Sequence, residues 1–96
     1  MIRFCEKEDG RIVPFDKRKI LNAINASFSA SDEGNRFLAS EMTESVIEIL
    51  IRSFPYEDIP SVGEIEDIIE EALMDYNFRR TAKHYILLRK EKENAS

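Results

Sequence analysis

Residues that reverse the chain are scarce in this sequence. Its 96 residues include three glycines and three prolines, whereas a fold of many short strands needs turn residues throughout. The length suits one domain. Hydrophobic residues make up 43% and charged residues 34%, which is too apolar for a disordered chain and too charged for a membrane protein. The sequence therefore predicts one domain without an extensive sheet.

The Asp9-Gly10 pair marks the first predicted turn. Residues able to form β-strands flank it, in segment 2–4 before the turn and segment 12–13 after it. An Asp-Gly pair between two such runs is a strong hairpin signal. Pro14 ends the second strand, because proline lacks the backbone N–H that a sheet ladder requires.

Apolar residues recur at helical spacing after the hairpin. Asp16 is the predicted N-cap of a first helix that ends between Ser27 and Ser31. Residues 31–34 form a connection, and a second helix then ends before the Phe54-Pro55 pair. This boundary is expected because the residue before a proline avoids helical angles.

A capping box marks the third helix. Ser61 is the predicted N-cap, and Glu64, three residues later, completes the box. Asn77 is expected to adopt the left-handed conformation that ends this helix, and a fourth helix follows. The preceding connector contains a segment, 57–59, that is able to pair as a third strand.

The apolar stripes predict which side chains face the core. Those expected inside are Ile20, Leu21, Ala23, Ile24 and Phe28 on the first helix; Phe37, Leu38, Met42, Val46, Ile49 and Leu50 on the second; Val62, Ile65, Ile68, Ile69, Ala72, Leu73 and Tyr76 on the third; and Phe78, Ala82, Tyr85, Ile86 and Leu88 on the fourth. The fold class predicted is α+β, with an N-terminal β-hairpin, in a small sheet of two or three strands, over a four-helix cluster. Residues 1–90 form the domain, and 91–96 are expected to be a frayed tail without an apolar anchor.

Charge is distributed unevenly along the chain. The net charge is −5, yet residues 1–20 and 77–96 carry more basic than acidic groups, and residues 31–76 are strongly acidic. If the two ends meet, they form a positive site on an acidic body. Alternatively, the acidic middle is solvated helix surface that pairs with the ends. A general nucleic-acid binder is disfavoured because such domains are usually basic overall, and a compact anionic ligand fits better.

The residue inventory excludes several kinds of site. One cysteine, Cys5, and one histidine, His84, rule out a disulfide framework and a structural zinc site. No apolar run is long enough to span a bilayer and the start of the chain is not a signal peptide, so a cytoplasmic protein is expected. Because no nucleophile or metal set accompanies the paired glutamates, no catalytic residue and no metal site are predicted.

Three consecutive cations follow the predicted N-cap of the first helix. Lys17, Arg18 and Lys19 lie at the positive end of the helix dipole, where cations are unfavourable. Helix N-termini attract phosphate through their free amides and dipole, so a bound phosphate would explain this arrangement. The alternative is that these cations balance acidic neighbours.

The hairpin and the start of the first helix resemble the ATP-cone. This family is the regulatory nucleotide-binding domain at the N-terminus of many ribonucleotide reductases and the body of a bacterial transcriptional repressor of reductase genes. The resemblance extends to segment 62–73 and to Ala-Lys-His-Tyr-Ile-Leu-Leu-Arg at 82–89. In the first block it rests on Lys7, Asp9, Gly10, Val13, Phe15, Asp16, Lys19 and Ile20.

The resemblance implies a nucleotide site for ATP or dATP as effector, with magnesium carried by the triphosphate. The nucleotides would control a ribonucleotide reductase, as catalytic domain or subunit, by favouring different oligomeric arrangements. Lysines would counter the triphosphate charge, Asp16 would accept a hydrogen bond from the ribose or the amino edge, and apolar residues would contact the base. The implied lining is Lys7, Val13, Pro14, Phe15, Asp16, Lys17, Arg18, Lys19, Ile20, Val62, Glu66 and Lys90.

Glu8 departs from the family pattern, which usually has arginine at this position. Because residues alternate faces along a strand, we expect Glu8 to point away from the ligand side of Lys7. Arg89 is expected either to contribute to the site or to anchor its helix to the acidic body. Two alternatives to a reductase regulator remain: a stand-alone nucleotide sensor and a helical protein-interaction module without a ligand.

Overall fold

A two-stranded hairpin precedes four helices in the computed structural model, which describes residues 1–94. The predicted α+β class and the order of the elements are therefore confirmed. The elements are β1 (Phe4–Glu6), β2 (Ile12–Pro14), α1 (Lys17–Ser31), α2 (Arg36–Ser53), α3 (Val62–Asp75) and α4 (Arg79–Asn94).

The hairpin is antiparallel and pairs Cys5 with Val13. Its turn closes through hydrogen bonds from the Lys7 amide to the Arg11 carbonyl (2.8 Å) and from the Gly10 amide to the Lys7 carbonyl (2.9 Å). Gly10 has a φ of +87°, a conformation that glycine adopts without the penalty imposed by a Cβ. The predicted Asp-Gly turn thus forms where the sequence places it.

Segment 57–59, which the sequence left able to pair as a third strand, does not do so in the described residues, and the sheet has two strands. Tyr56 and Glu57 have φ values of +57° and +68°, and this left-handed backbone is incompatible with an extended strand. The connector instead meets the hairpin one step later. Glu6 makes a single parallel bridge with Ser61, and its amide donates to the Pro60 carbonyl at 2.9 Å.

The predicted caps of α1 and α3 are confirmed. The Asp16 side chain accepts a hydrogen bond from the Arg18 amide (3.0 Å). Ser61 and Glu64 form both hydrogen bonds of the capping box. Asn77, just beyond α3, has the expected left-handed φ of +65°. The cap of α2 is Asn35, whose side chain accepts from the Leu38 amide at 2.8 Å.

The core lies between the four helices, with α1 and α3 each contacting both α2 and α4. Three side chains expected inside are instead exposed: Phe37 by 69%, Tyr76 by 57% and Leu88 by 42%. Phe37 is in the first turn of α2 and Tyr76 is the C-cap of α3. Leu88 lies in the second half of α4, past its last buried residue, Tyr85. The apolar stripe of a helix is buried only along the length where another helix packs against it.

The start of α4 is capped by a residue from another element. Glu33 Oε1 accepts hydrogen bonds from the backbone amide and the hydroxyl of Thr81, both at 2.8 Å. Burial alone would raise the pKa of Glu33, but the Thr81 hydrogen bonds and nearby Arg80 outweigh it and lower the pKa. The Ser31 and Thr81 hydroxyls are also hydrogen-bonded, at 2.6 Å. The connection between α1 and α2 therefore fixes one end of α4.

The other end of α4 differs from the sequence prediction. Residues 91–94, expected to be part of a frayed tail, continue the helix to Asn94. Helical hydrogen bonding propagates once a helix is nucleated, so exposed polar residues can extend it without an apolar anchor. The predicted fraying of residues 95–96 lies outside the described residues.

Candidate functional site

A cleft of about 210 Å³ lies where the hairpin meets α1, α3 and α4. It combines residues from both strands and from three helices that are far apart in sequence. The hairpin, the first turns of α1 and α3, and α4 each contribute residues to its lining. The two basic ends of the chain therefore meet at one place, as one interpretation of the charge pattern expected.

The cleft brings together nine of the twelve residues that the sequence proposed for a nucleotide site. Their binding roles remain predictions, but their common location does not depend on the sequence resemblance. The nine are Lys7, Val13, Pro14, Phe15, Asp16, Lys19, Ile20, Val62 and Glu66.

Two of the three consecutive cations do not line the cleft. Lys17 donates from Nζ to Glu44 Oε1 at 3.0 Å. Arg18 folds back onto Asp16, with hydrogen bonds of 3.1 Å from both Nε and Nη2. These hydrogen bonds from Arg18, with help from Lys19, lower the pKa of Asp16. Lys17 and Arg18 thus balance acidic neighbours, and Lys19 is left facing the cleft.

Lys90, which the sequence analysis assigned to the site, does not line the cleft. Lys92 contributes a lysine to the cleft in its place. Both residues are in α4, and two successive steps along a helix rotate a side chain by about 200°. The two lysines therefore point to nearly opposite sides of α4. The sequence did contain a signal for Lys92. It lies seven residues, or about two helical turns, after Tyr85, which also lines the cleft, so both face the same side of α4.

Six lining residues were absent from the sequence-based site. Four of them, Ala23, Ile65, Ile69 and Tyr85, had been assigned to the core because they follow the apolar stripes of α1, α3 and α4. At the edge of the core, one side chain can pack against the core and also line the cleft. The six are Cys5, Ala23, Ile65, Ile69, Tyr85 and Lys92.

The walls of the cleft differ in chemistry. Apolar side chains of α1 and α3, among them Ile20 and Ile65, form one surface, while Lys7, Lys19 and Lys92 contribute positive charge. Within residues 1–94, neither Lys7 nor Lys19 forms an ion pair within 4.0 Å. An apolar surface beside unpaired cations suits a ligand with a flat hydrophobic part and a strongly anionic part.

Two acidic side chains, Asp16 and Glu66, face the same cleft. Burial raises the pKa of Glu66, while the nearby Arg89 and Lys92 oppose that rise. Arg89 itself anchors α4 to α3, as one of its two expected roles stated: its guanidinium lies 2.6 Å from Glu70, 2.9 Å from Asp67 and 3.5 Å from Glu66.

Glu8 does not point away from Lys7, which corrects the sequence expectation. Both residues line an adjoining pocket of about 250 Å³ that also includes Lys92. The alternation argument fails because β1 ends at Glu6, so Lys7 and Glu8 belong to the turn. Proximity of Glu8 also contributes to the raised pKa of Glu66.

A second concavity, of about 500 Å³, lies between the first half of α2 and the connection from α3 to α4. Leu38, Met42, Tyr76 and Phe78 form its apolar part, and Glu41, Glu44, Ser40 and Ser45 supply its polar atoms. None of the twelve residues proposed from the sequence lines it. Exposed Phe37 belongs to the same end of α2.

The described residues place limits on other kinds of site. Within residues 1–94, no three or more His, Cys, Asp or Glu side chains are grouped so as to hold a metal ion. Across the same residues, none of the helices has the length and apolar character needed to cross a membrane.

Comparison with known proteins identifies the family. The family model described as the ATP cone domain matches residues 4–94. The chain is also 34% identical, over 97 aligned residues, to a vitamin B12-dependent ribonucleoside-diphosphate reductase from Thermoplasma acidophilum. That alignment covers 96% of this chain and 12% of the reductase, so the chain corresponds to a small part of the length of that relative.

Proposed function

Since this chain belongs to the ATP-cone family, we propose that the cleft between the hairpin, α1, α3 and α4 binds ATP and dATP as regulatory effectors. The observation that carries the proposal is the convergence of Lys7, Lys19 and Lys92 on one cleft with an apolar wall. The triphosphate would lie beside the lysines and the start of α1, where amides and dipole favour anions.

The remaining lining residues supply contacts for the nucleoside. Val13, Ile20 and Val62 would pack against the base, and Asp16 would accept a hydrogen bond from the ribose or the amino edge of the base. Asp16 already accepts from Arg18, but a carboxylate has room for further donors. Magnesium would enter with the triphosphate, whose oxygens are ligands that it prefers.

The effector would act on a ribonucleotide reductase, either as part of the same chain or as a partner subunit. The similarity to a ribonucleoside-diphosphate reductase supports this assignment. We propose that ATP and dATP stabilise different oligomeric arrangements, because an effector shifts an equilibrium only by its affinity difference between states. The chain would then regulate without performing catalysis, and would work in the cytoplasm alongside the reductase.

Thermal unfolding with different nucleotides tests the proposal. A ligand that binds the folded state alone stabilises it by ~2.7 kcal/mol at a hundredfold excess over Kd. We expect ATP and dATP to raise the melting temperature, and GTP and CTP to do so much less. The same melting temperature with and without every nucleotide, at millimolar concentration, would contradict the function. Light scattering with ATP and with dATP then tests the oligomeric part separately.

A second candidate function, protein interaction without a ligand, is favoured by the exposed aromatic residues Phe37 and Tyr76 beside the pocket of α2. Large exposed apolar side chains clustered at one place are typical of contact surfaces. The thermal measurement separates the candidates, because an interaction module without a ligand would show no nucleotide-dependent stabilisation.

A further inference from the structure

Arg89 joins α4 to α3 through an unusually acidic set of partners. Its side chain is 16% exposed. Nη1 donates to Glu70 at 2.6 Å and to Asp67 at 2.9 Å, and Nη2 donates to the Gly63 carbonyl at 3.4 Å. These bonds fix the plane of the guanidinium, which holds its groups in a rigid fork.

The third carboxylate, Glu66, is held differently. Its Oε1 lies 3.5 Å from Arg89 Nε, yet Nε is buried and has no hydrogen-bond partner among residues 1–94. Within the same residues, no hydrogen bond to the Glu66 carboxylate is formed. Its side chain is 18% exposed. The Glu66 carboxylate faces the cleft and has no hydrogen-bond donor among residues 1–94, so it is able to accept a hydrogen bond from a ligand bound there.

Electrostatics explain how Glu66 remains available as an acceptor. Burial favours its neutral form, as do the charges of Glu8 and Glu93, while Arg89 and Lys92 favour the ionised form. Among residues 1–94, Arg89 is the cation within ion-pair distance of Glu66. An ionised carboxylate accepts stronger hydrogen bonds than a neutral acid.

We propose that Arg89 is a positioning residue of the nucleotide site, which holds the Glu66 carboxylate at the cleft wall to accept a hydrogen bond from a hydroxyl or amino donor of the nucleoside. Arg89 does not line the cleft and acts through Glu66. The inference rests on the proposed function, because it takes a nucleotide as the ligand. It adds a residue outside the cleft that decides how well the cleft binds.

A double-mutant cycle measured by calorimetry with ATP tests this role. Loss of a hydrogen bond to a charged group costs about tenfold in affinity or more. We expect Glu66→Gln and Arg89→Gln each to weaken ATP binding about tenfold, and the double variant to be no weaker than Glu66→Gln by more than about twofold. Arg80→Gln is the matched control, since Arg80 also pairs from α4, with Glu33 at 3.5 Å, but lies outside the cleft.

The outcomes are distinct. If Arg89 serves only to fasten two helices, Arg89→Gln lowers the melting temperature and its effect on affinity is the same with and without the Glu66 carboxylate; this additive result overturns the inference. An unchanged affinity in Arg89→Gln overturns it as well. Absence of ATP binding by the unmodified protein refutes the proposed function and the inference together.

A second variant covers the case in which Arg89→Gln does not fold. Arg89→Lys keeps the cation but cannot reproduce the fork that reaches Asp67, Glu70 and Glu66 together. We expect it to fold and to bind ATP about threefold more weakly, and this loss should vanish in the Glu66→Gln background. A loss that persists in that background overturns the inference.

Discussion

Lys17 donates a hydrogen bond to Glu44 at 3.0 Å and so joins the first turn of α1 to the middle of α2. Two positions later, Lys19 lines the cleft without an ion pair among residues 1–94. Two lysines of the same basic run, which look equivalent in the sequence, therefore have different surroundings. Both side chains of the Lys17–Glu44 pair are 60% exposed, and such pairs contribute little stability.

The first prediction compares these two lysines. Lys19→Ala should weaken ATP binding by roughly 1.5–3 kcal/mol, because a charge-assisted bond to phosphate is lost. Its fold should remain intact or gain a few tenths of a kcal/mol, since a cation leaves the positive end of the α1 dipole. Lys17→Ala is the matched control and should change affinity less than about threefold. Equal losses, measured by calorimetry, would contradict the assignment.

The second prediction concerns Glu8, which shares a pocket with Lys7 and Lys92. Its carboxylate should repel a triphosphate bound there. Two charges 4 Å apart interact by ~4 kcal/mol at an effective dielectric of about 20, and salt reduces this. Glu8→Arg should therefore tighten ATP binding about tenfold at low salt, and less at high salt.

Glu48→Arg provides the matched control for Glu8. It makes the same change in net charge on an exposed position of α2, a helix that contributes no residue to the cleft. Titrations of both variants with ATP at two salt concentrations decide the matter. An equal gain in the two variants would mean that overall charge, and not the position of Glu8, governs the affinity.

The third prediction concerns pH and the cap of α4 by Glu33. Because the pKa of Glu33 is lowered from its usual 4.5, its charge stabilises the fold above that pH, and the contribution is lost as pH falls through the folded-state pKa. Glu33→Gln should lower stability by about 1–2 kcal/mol at neutral pH. The difference from the unmodified protein should shrink below about pH 4. A gap in melting temperature that is constant with pH would refute this explanation.

Local signals in the sequence were sufficient for the elements of this fold. The Asp9-Gly10 turn, the Asp16 cap and the Ser61–Glu64 capping box each depend on contacts within a few residues. Features that depend on residues distant in the sequence were harder to predict. The exposure of Phe37 and Tyr76 depends on where neighbouring helices end, and the left-handed Glu57, which prevents a third strand, carries no distinctive signal.

The same distinction applies to the site. Residues in and around the hairpin were placed by the family motif, and seven of them share the cleft with Val62 and Glu66 of α3. Lys90 was chosen near the end of the resemblance, where no motif fixes the helical phase, and the structure places Lys92 there instead. The direction of Glu8 was missed because the alternation argument required a strand through Lys7 and Glu8, whereas β1 ends at Glu6.

The fourth prediction concerns the turn between α1 and α2. Gly34 has a φ of +62°, and a Cβ added there would lie 2.5 Å from the buried Phe28 ring. Phe28 cannot yield easily, since its ring packs 4.8 Å from that of Phe78. Gly34→Ala should destabilise the protein by about 2–4 kcal/mol, through backbone strain and overpacking. Gly10→Ala, where nothing lies within 4 Å of the added Cβ, should cost about 1 kcal/mol. Equal changes in denaturant midpoint would contradict the steric argument.

The last prediction separates the two lysines near the end of α4. Lys92 lines the cleft and lies close enough to Glu66 to oppose the rise of its pKa, whereas Lys90 is exposed on another side of the helix. Lys92→Ala should weaken ATP binding about tenfold, because one of three cations that face the triphosphate is removed. Lys90→Ala should change it less than about twofold, since an exposed charge outside the cleft is screened by salt.

Both substitutions shorten a lysine on the exposed surface of one helix, so their effects on stability should be similar and small. The pair therefore isolates the direction of the side chain as the variable. Calorimetric titration with ATP, at one salt concentration for both variants, is the measurement. If Lys90→Ala loses affinity and Lys92→Ala does not, the triphosphate must lie on the side of α4 that carries Lys90, which contradicts binding in this cleft.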